Sequence, residues 1–237
     1  MQFEYIACSR KGEPKDKNED CVMVNKFEIT RGYCIGKTDK IILAIICDGV
    51  GSTKGADIAS KKIINYFKRL EEKELVSPRI ICKHLFNINK EILDSQKKNG
   101  NNCDMASTVA GLLVSNNRYI TFNIGDTRIY KFYRNNMTCI SRDHVIINLQ
   151  KNTLYGYLGG DGYGFYPSIQ KGKIENGSIF ILCSDGVYNC ISEMEMVNIL
   201  GSNNELIEKG RAIIEKVFQN GSKDDTSLIV IDCSILN

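Results

Sequence analysis

The chain has 237 residues, of which 43% are hydrophobic and 25% are charged, and its formal net charge is +3. These totals are typical of a globular protein with a substantial core, and so weak and dispersed a positive charge excludes a dedicated nucleic-acid binder. No segment reaches the roughly 18 consecutive apolar residues that a membrane-spanning helix requires. The N-terminal sequence also lacks the charged-then-apolar layout of a secretory signal. We therefore expect a soluble, cytoplasmic protein with no membrane contact.

The ten cysteines do not follow a disulfide or zinc pattern. Cys47, Cys183 and Cys233 lie inside apolar runs, where a free cysteine behaves as a small hydrophobic residue. No C-x-x-C pair is present, so a structural zinc site has no support. No cysteine has an arginine six residues after it, which excludes the phosphate-binding loop of a cysteine-dependent phosphatase. We expect reduced, structural thiols.

Hydrophobic periodicity predicts a chain of strands and two pairs of helices. We expect strands over 3–8, 21–29, 41–47, 169–174, 179–183 and 226–233, and a meander of four antiparallel strands over 106–141. Helices are predicted over 56–75, 78–98, 193–200 and 205–218, the third opened by a Ser192–Glu195 capping box and the last interrupted by Gly210. Residues 30–40 are predicted to form a turn region, and residues 142–164 an irregular loop near the site.

This order of elements predicts an α+β fold. The helices are too few and too clustered for alternating βαβ units. Two stacked, mainly antiparallel β-sheets flanked by helix pairs, a four-layer αββα sandwich, would bury each central strand on both faces and explain the continuous apolar runs. Because no repeat or linker divides the sequence, we expect a single domain over residues 1–237.

Three acidic residues lie where apolar runs end or begin. They are Asp48 after the run 41–47, Asp185 after the run 179–183, and Asp224 before the run 228–231. A carboxylate at the end of a buried strand emerges where the backbone reaches solvent, so we interpret the three as one cluster of hard oxygen ligands for divalent cations. With only two histidines in the chain, a histidine-rich metal site is excluded.

Six short motifs occur in order along the chain. They are NED at 18–20, DGVG at 48–51, ASTVAG at 106–111, GDTR at 125–128, SDG at 184–186 and DDTS at 224–227. In this order and rough spacing the chain resembles the metal-dependent protein phosphatases, the type 2C serine/threonine phosphatase family, and in particular its bacterial members. The resemblance covers residues from about 8 to 232.

The resemblance implies a site for two Mn²⁺ or Mg²⁺ ions, with a third, weaker ion as in bacterial members. Its catalytic aspartates correspond to Asp48, Asp185 and Asp224. The implied metal ligands are Asp48, the backbone carbonyl of Gly49, Asp185, Asp224, Glu19 and Asp20 for the pair of ions, and Asp126 for the third. Two ions about 3.5–4 Å apart lower the pKa of a bridging water and hold phosphoryl oxygens, so a phosphomonoester is hydrolysed without a covalent enzyme intermediate.

Three positions depart from the family's pattern. Lys15 stands where the family usually has an arginine; we expect it to bind substrate phosphate, but without the bidentate geometry of a guanidinium group. Val50 replaces the histidine that many eukaryotic members carry as a candidate general acid, so the sequence assigns no general acid. Asp225 replaces the more usual asparagine, which we interpret as a small change. The segment after Asp143, which includes the family's flap, is short and leaves substrate preference open.

The sequence therefore predicts a monomeric, cytoplasmic, Mn²⁺- or Mg²⁺-dependent phosphatase acting on phosphoserine and phosphothreonine in proteins and opposing a serine/threonine kinase. Two alternatives stay open. One is a pseudophosphatase that uses the same fold as a binding or regulatory module, which Lys15 and the short flap motivate. The other is hydrolysis of a small-molecule phosphoester by the same metals. The intact acidic set favours an enzyme over a pseudophosphatase.

Overall fold

The computed structural model describes residues 2–39, 41–75, 77–98, 104–146, 153–160 and 165–234. Its strands are β1 (Phe3–Arg10), β2 (Cys21–Val24), β3 (Phe27–Ile29), β4 (Gly32–Thr38), β5 (Ile42–Cys47), β6 (Val109–Ser115), β7 (Arg118–Ile124), β8 (Arg128–Tyr133), β9 (Asn136–Cys139), β10 (Val145–Ile146), β11 (Thr153–Leu154), β12 (Ser168–Lys173), β13 (Ile179–Cys183) and β14 (Thr226–Asp232). Its helices are α1 (Ala56–Lys68), α2 (Pro78–Lys98), α3 (Asp185–Tyr188), α4 (Glu193–Leu200) and α5 (Leu206–Gln219), with a 3₁₀ turn at Glu72–Glu74.

The strands form two six-stranded sheets and one small hairpin. Sheet I has the order β4-β1-β14-β13-β8-β9, sheet II has the order β12-β7-β6-β5-β2-β3, and β10 pairs with β11. All neighbouring strands run antiparallel. With helices outside both sheets, the predicted α+β sandwich is confirmed.

Three hydrophobic clusters separate the four layers. The central cluster lies between the sheets and includes Phe3, Val22, Ile46, Leu112, Phe180 and Ile229. The second joins α1 and α2 to sheet II, and the third joins α4 and α5 to sheet I. Every residue of β5 and of β13 is buried. Because each of these strands is covered on both faces, their sequences show no polar alternation.

The predicted strand over 21–29 and turn over 30–40 are wrong in detail. Asn25 adopts a positive φ of 54° and turns the chain between β2 and β3, and its side-chain oxygen accepts the Leu43 N–H at 2.8 Å. Asparagine tolerates this conformation better than most residues, so a hairpin with the two-residue turn Asn25–Lys26 divides the predicted strand into β2 and β3. Residues 32–38 form strand β4 at the edge of sheet I, where half-exposed side chains obscure the usual pattern.

The predicted meander over 106–141 is also wrong, because its strands belong to two sheets. The β6–β7 hairpin lies in sheet II, whereas β8 pairs with β9 and β13 in sheet I. The chain crosses between the sheets at residues 125–127, where Gly125 has φ +114° and a Cβ would lie 2.6 Å from Thr108. This crossing places Asp126 at the edge of the sandwich rather than in a hairpin.

Two helix predictions need correction and one loop is only partly described. Helix α1 ends at Lys68, and α5 runs without interruption through Gly210. A Cβ at Gly210 would lie 2.5 Å from the Ile6 side chain, so this glycine allows α5 to pack closely on β1. Within the predicted loop 142–164, residues 145–146 and 153–154 form the β10–β11 hairpin, while 147–152 and 161–164 lie outside the described residues.

The nine cysteines in the described ranges are free thiols, as the sequence predicts. The capping box is also present: Ser192 accepts the Glu195 N–H, and the Glu195 carboxylate accepts the Ser192 N–H. Across the described ranges, none of the helices combines the length and the apolar character needed to cross a membrane.

Candidate metal centre

A cavity of about 170 Å³ opens at the edge of the sandwich where β5 and β13 end. It is lined by Lys15, Asp48, Gly49, Val50, Gly51, Thr108, Asp126, Leu154, Asp185 and Asp224. Six of the eight predicted site residues therefore line one cavity, although they are widely separated in the sequence. The other two, Glu19 and Asp20, lie beside it at the end of the loop that leads into β2.

The backbone of Asp48 is fixed by the motif that precedes β6. Its N–H donates to Thr108 Oγ1 at 3.1 Å, and its carbonyl accepts the Thr108 N–H at 2.8 Å and the Ser107 hydroxyl at 3.0 Å. Thr108 Oγ1 in turn lies 2.6 Å from Thr127 Oγ1. The roles of Ser107 and Thr127 were not predicted from the sequence. The available signal was that each is a hydroxyl residue inside one of the motifs. These contacts hold the end of β5 against the crossing that carries Asp126.

Gly49 lies where the backbone packs too closely for a side chain. A Cβ at this position would be 2.8 Å from the backbone carbonyls of both Ala56 and Glu19. The Gly49 N–H donates to the Glu19 carbonyl at 3.2 Å. This contact joins the N-terminal acidic motif to the start of the turn after β5.

The Asp185 and Asp224 carboxylates approach the cavity from neighbouring elements. Asp185 begins the short helix α3 directly after β13 and Ser184. A Cβ at Gly186 would lie 2.0 Å from the Asp225 carbonyl, so the SDG motif packs tightly on the DDTS motif. Asp224 is the more exposed of the two acids, with 48% of its side chain accessible.

Asp126 lies on a crossing that is held by a buried histidine. The His144 N–H donates to the Gly125 carbonyl at 2.9 Å, and His144 Nδ1 accepts the Gly125 N–H at 3.0 Å. His144 Nε2 lies 2.9 Å from the hydroxyl of Ser168 on β12, and its carbonyl accepts the Tyr155 N–H. Because Nδ1 accepts a hydrogen bond, the ring is neutral and carries its proton on Nε2. Burial lowers the pKa of His144, which favours this neutral form.

Mutual repulsion among the acids shows in their pKa values. Burial, followed by the charges of Asp20 and Asp185, raises the pKa of Asp48 well above its usual range, although its side chain is partly accessible through the cavity. Burial and the Asp224 charge raise the pKa of Asp185 to about 6. Burial also raises the pKa of Asp126. Such a cluster is stabilised by cations, which favour the ionised carboxylates.

Asp20 gives the clearest sign of a missing partner group. It is 1% exposed, and neither of its carboxylate oxygens has a hydrogen-bond partner. Burial is the main cause that raises its pKa to about 7; the nearby Ser184 and Ser227 hydroxyls oppose this rise, although neither reaches hydrogen-bonding geometry. On transfer scales, burying a carboxylate without a partner costs roughly several kcal/mol of folding free energy. The cost is lowered when the carboxylate pairs with a cation or coordinates a metal ion.

The oxygen donors of this cluster are of the kind that binds hard divalent cations, but their positions in the structure do not form a coordination site. The group offers carboxylate and backbone oxygens only, which Mg²⁺ and Mn²⁺ prefer. In the part of the chain that the structure describes, no three Asp, Glu, His or Cys side chains could hold an ion as they stand. Lys15 draws Glu19 and Asp224 to its ammonium group, and the remaining carboxylates repel one another, so ion binding requires these side chains to turn towards a shared centre.

Lys15 is bound by three acids rather than free in the cavity. Its Nζ lies 3.1 Å from Glu19, 2.5 Å from Asp224 and 3.0 Å from Asp225. Burial lowers the pKa of Lys15, but the hydrogen bonds to Asp224 and Asp225 outweigh this and raise it overall, so the ammonium group stays charged.

Asp225 organises the N-terminal loop from a buried position. It is 2% exposed, and its carboxylate accepts the Gly12 N–H at 2.8 Å, the Glu19 N–H at 2.9 Å and the Lys15 ammonium at 3.0 Å. The interpretation of Asp225 as a small change from asparagine is therefore wrong, because an amide oxygen carries no charge to pair with the lysine. The sequence signal was an acid directly before a buried strand.

The chain matches a known protein family over most of its length. The model of the family described as protein phosphatase 2C matches residues 30–226. The chain belongs to the protein phosphatase 2C family. Members of this family hydrolyse phosphoesters.

Individual relatives of this phosphatase 2C chain are distant but cover most of it. The serine/threonine phosphatase stp of Listeria innocua is 24% identical and covers 84% of this chain and 87% of its own. Among solved structures, the Mycobacterium tuberculosis serine/threonine phosphatase PstP/Ppp gives a TM-score of 0.81 at 20% identity, covering 99% of this chain and 100% of that one. The catalytic domain of PstP in complex with two manganese ions gives a TM-score of 0.78 at 21% identity, covering 98% and 99%.

The protein phosphatase 2C match begins after the NED motif. Lys15, which lines the cavity, and Glu19 and Asp20, which lie beside it, are therefore outside the matched residues. Their proximity to Asp224 and Asp225 follows from the pairing of β1 with β14, which brings Arg10 opposite Thr226.

Proposed function

We propose that the protein is a Mn²⁺- or Mg²⁺-dependent protein serine/threonine phosphatase that works as a single domain. The observation that carries the proposal is the buried, unpartnered Asp20 carboxylate beside a cavity lined by Asp48, Asp185 and Asp224. Excess negative charge without compensating donors is the condition that bound dications relieve. The membership of the chain in a phosphatase family supports the same proposal, as do the two manganese ions bound to the catalytic domain of PstP.

We assign the ligands as follows. The Asp48, Asp185 and Asp224 carboxylates would hold one ion, and the Gly49 carbonyl would add a further ligand to the pair. Glu19 and Asp20 would serve the second ion, and Asp126 a third, weaker one. When bound, such a pair of dications supplies a nucleophilic water near neutral pH and neutralises charge on the phosphoryl group.

Other residues of the chain position the Asp48 carboxylate and supply a positive charge for the substrate phosphate. Ser107 and Thr108 fix the backbone of Asp48, so the position of its carboxylate is set by β5. With Asp224 engaged as a metal ligand, the Lys15 ammonium group would be available to contact a phosphate oxygen. As a point charge it orients the phosphate less strictly than an arginine would. Among the residues that line the cavity, none is a serine or cysteine nucleophile, which agrees with hydrolysis without a covalent intermediate.

The test is hydrolysis of an aryl phosphate by the purified protein with and without Mn²⁺ or Mg²⁺. We expect turnover only with metal. Asp48→Asn and Asp185→Asn should each abolish turnover while leaving the thermal unfolding transition cooperative. The matched control is Asp94→Asn, an exposed acid on α2 that makes the same change of charge away from the cavity. Full activity in excess chelator would rule the mechanism out.

The substrate class is tested by a panel of phosphoserine and phosphothreonine peptides beside small phosphorylated metabolites. The relatives in Listeria innocua and Mycobacterium tuberculosis, which are serine/threonine phosphatases, support the peptides. Preference for metabolites would favour the small-molecule alternative. Calorimetric titration with Mn²⁺ separates the pseudophosphatase: tight metal binding without turnover of any phosphoester would favour a binding module.

We further propose that the protein is a cytoplasmic monomer that opposes a serine/threonine kinase.

A further inference from the structure

A second, larger cavity lies at the opposite end of sheet II from the metal centre. Its volume is about 510 Å³. Its lining includes Ile41, Leu113 and Ile120 on the apolar side and Arg118, Lys171 and Lys173 at the rim. Strand β5 connects the two cavities, since Ile41 precedes its first residue and Asp48 follows its last. At about 3.3 Å per residue these two positions are about 23 Å apart, so the cavities are separate.

The floor of this cavity is an uncovered part of the helix-facing side of sheet II. Leu113 on β6 belongs to the core under α1 and α2, and the partly buried Ile41 and Ile120 pack against the same core. Helix α2 begins only at Pro78, at the cavity wall. The apolar surface of the sheet therefore continues beyond the helices that cover the rest of it, and a ligand with an apolar body could bury it.

The rim of the cavity carries three cations on two paired strands. In the register of β7 with β12, Lys171 lies opposite Ile120 and Lys173 lies opposite Arg118. Because side chains on one face of a strand recur every second residue, Arg118, Lys171 and Lys173 project from the same face as Ile120. All three are exposed, and none of them has an acidic partner among the described residues.

The acid on the opposite wall does not balance these charges. Glu72 lies at the 3₁₀ turn, and its carboxylate is 3.8 Å from the Lys26 ammonium group. The rim next to the apolar floor therefore keeps an excess of positive charge. This combination of an apolar floor and a cationic rim is complementary to a molecule with an apolar body and one acidic group.

We propose that this cavity binds a small organic anion, whose apolar body contacts Leu113 and Ile120 and whose carboxylate, sulfonate or phosphate group contacts Arg118, Lys171 and Lys173. The volume lies within the roughly 300–1,000 Å³ range of small-molecule sites. The site is independent of the proposed phosphatase activity, because none of its lining residues lines the metal centre.

The test compares two fluorescent probes with the same ring system. Anilinonaphthalene sulfonate carries an acidic group, and phenylnaphthylamine is its neutral counterpart. We expect the sulfonate to bind the folded protein with one-to-one stoichiometry and more tightly than the neutral probe. Arg118→Gln/Lys171→Gln should weaken sulfonate binding about tenfold, at roughly threefold for each exposed charge, and change binding of the neutral probe by less than about twofold.

Two further variants locate the site. Lys83→Gln/Lys90→Gln makes the same change of charge on exposed residues of α2 outside the cavity, and should leave both probes unaffected. Ser115→Phe places a ring inside the cavity and should weaken both probes, provided that thermal unfolding shows an intact fold. Mn²⁺ at a concentration that saturates the metal centre should not displace the sulfonate.

The proposal is overturned if the wild-type protein does not bind the sulfonate, or if Arg118→Gln/Lys171→Gln leaves its affinity unchanged. Equal weakening of the neutral probe, or displacement of the sulfonate by Mn²⁺, would also contradict it. A protein without phosphatase activity that still binds the sulfonate in this pattern would leave the inference standing, so the two proposals fail separately.

Discussion

The buried Asp20 carboxylate makes a sharp prediction about the stability of the metal-free protein. A carboxyl group whose pKa is raised in the folded state binds its proton more tightly there than in the unfolded chain. Its contribution to stability is fully present below the unfolded pKa of 3.8 and is lost as the pH rises through the folded pKa of about 7. Asp20→Asn removes this titration, because the amide resembles the protonated acid and stays neutral.

The size of the effect follows from the difference between the two pKa values. The change from 3.8 to about 7 is about 3 pKa units, which corresponds to about 4 kcal/mol at about 1.4 kcal/mol per unit. This is an upper limit, since water that enters the cavity would reduce it. In chelator, Asp20→Asn should therefore exceed wild type in free energy of unfolding by up to about 4 kcal/mol at about pH 8, and by about 2 kcal/mol at about pH 5.

Urea unfolding of both proteins in excess chelator at the two pH values measures this difference. Because the proteins are compared at each pH, the contributions of titrating groups remote from Asp20 cancel. Asp94→Asn should stay within about 0.5 kcal/mol of wild type at both. With Mn²⁺ added, wild type should gain more stability than Asp20→Asn, since metal bound to the folded state stabilises it by mass action. If the stability difference between Asp20→Asn and wild type is the same at both pH values, the reasoning is refuted.

Three other substitutions test the framework around the centre. Asp225→Ala should cost about 3 kcal/mol in urea unfolding, because it leaves the Gly12 and Glu19 N–H groups without their acceptor and removes the buried one of the three acids around Lys15; a loss below about 1 kcal/mol would contradict the anchoring role. His144→Ala should cost about 1–3 kcal/mol by leaving the Gly125 N–H unpaired. Since the folded pKa of His144 is lowered from 6.5, wild-type stability from this residue is present above 6.5 and declines as the pH falls below it, and the variant should lose this decline; an unchanged pH profile would refute the neutral assignment. Gly210→Ala should destabilise by about 1–3 kcal/mol through its contact with Ile6, and a stabilised variant would show that α5 can shift.

The parts of the fold that the sequence predicts well are those whose surroundings are uniform. Strands β5 and β13 are apolar throughout because both faces are covered, and the capping box at Ser192 is a local contact. The errors arise where a distant partner decides. Nothing within residues 106–141 shows that Gly125 carries the chain to the other sheet, and β4 is a strand because β1 offers its edge.

The candidate site divides in the same way. Its acidic members could be found because strand ends and motifs mark Asp48, Asp185 and Asp224 individually. The role of Asp225 could not be predicted, because its carboxylate contacts backbone groups and Lys15 more than 200 residues earlier in the chain. The lack of partners at Asp20 likewise depends on the packing of several elements, which no local pattern records.

The contact between Gly12 and Asp225, which are 213 residues apart in the chain, has a consequence for synthesis and turnover of the protein. A polypeptide that is still emerging from the ribosome already contains Asp48, yet it lacks both the final acid of the cavity and the anchor of the N-terminal loop. The same holds for a proteolytic fragment cut before residue 224. Incomplete chains should therefore be inert rather than weakly active.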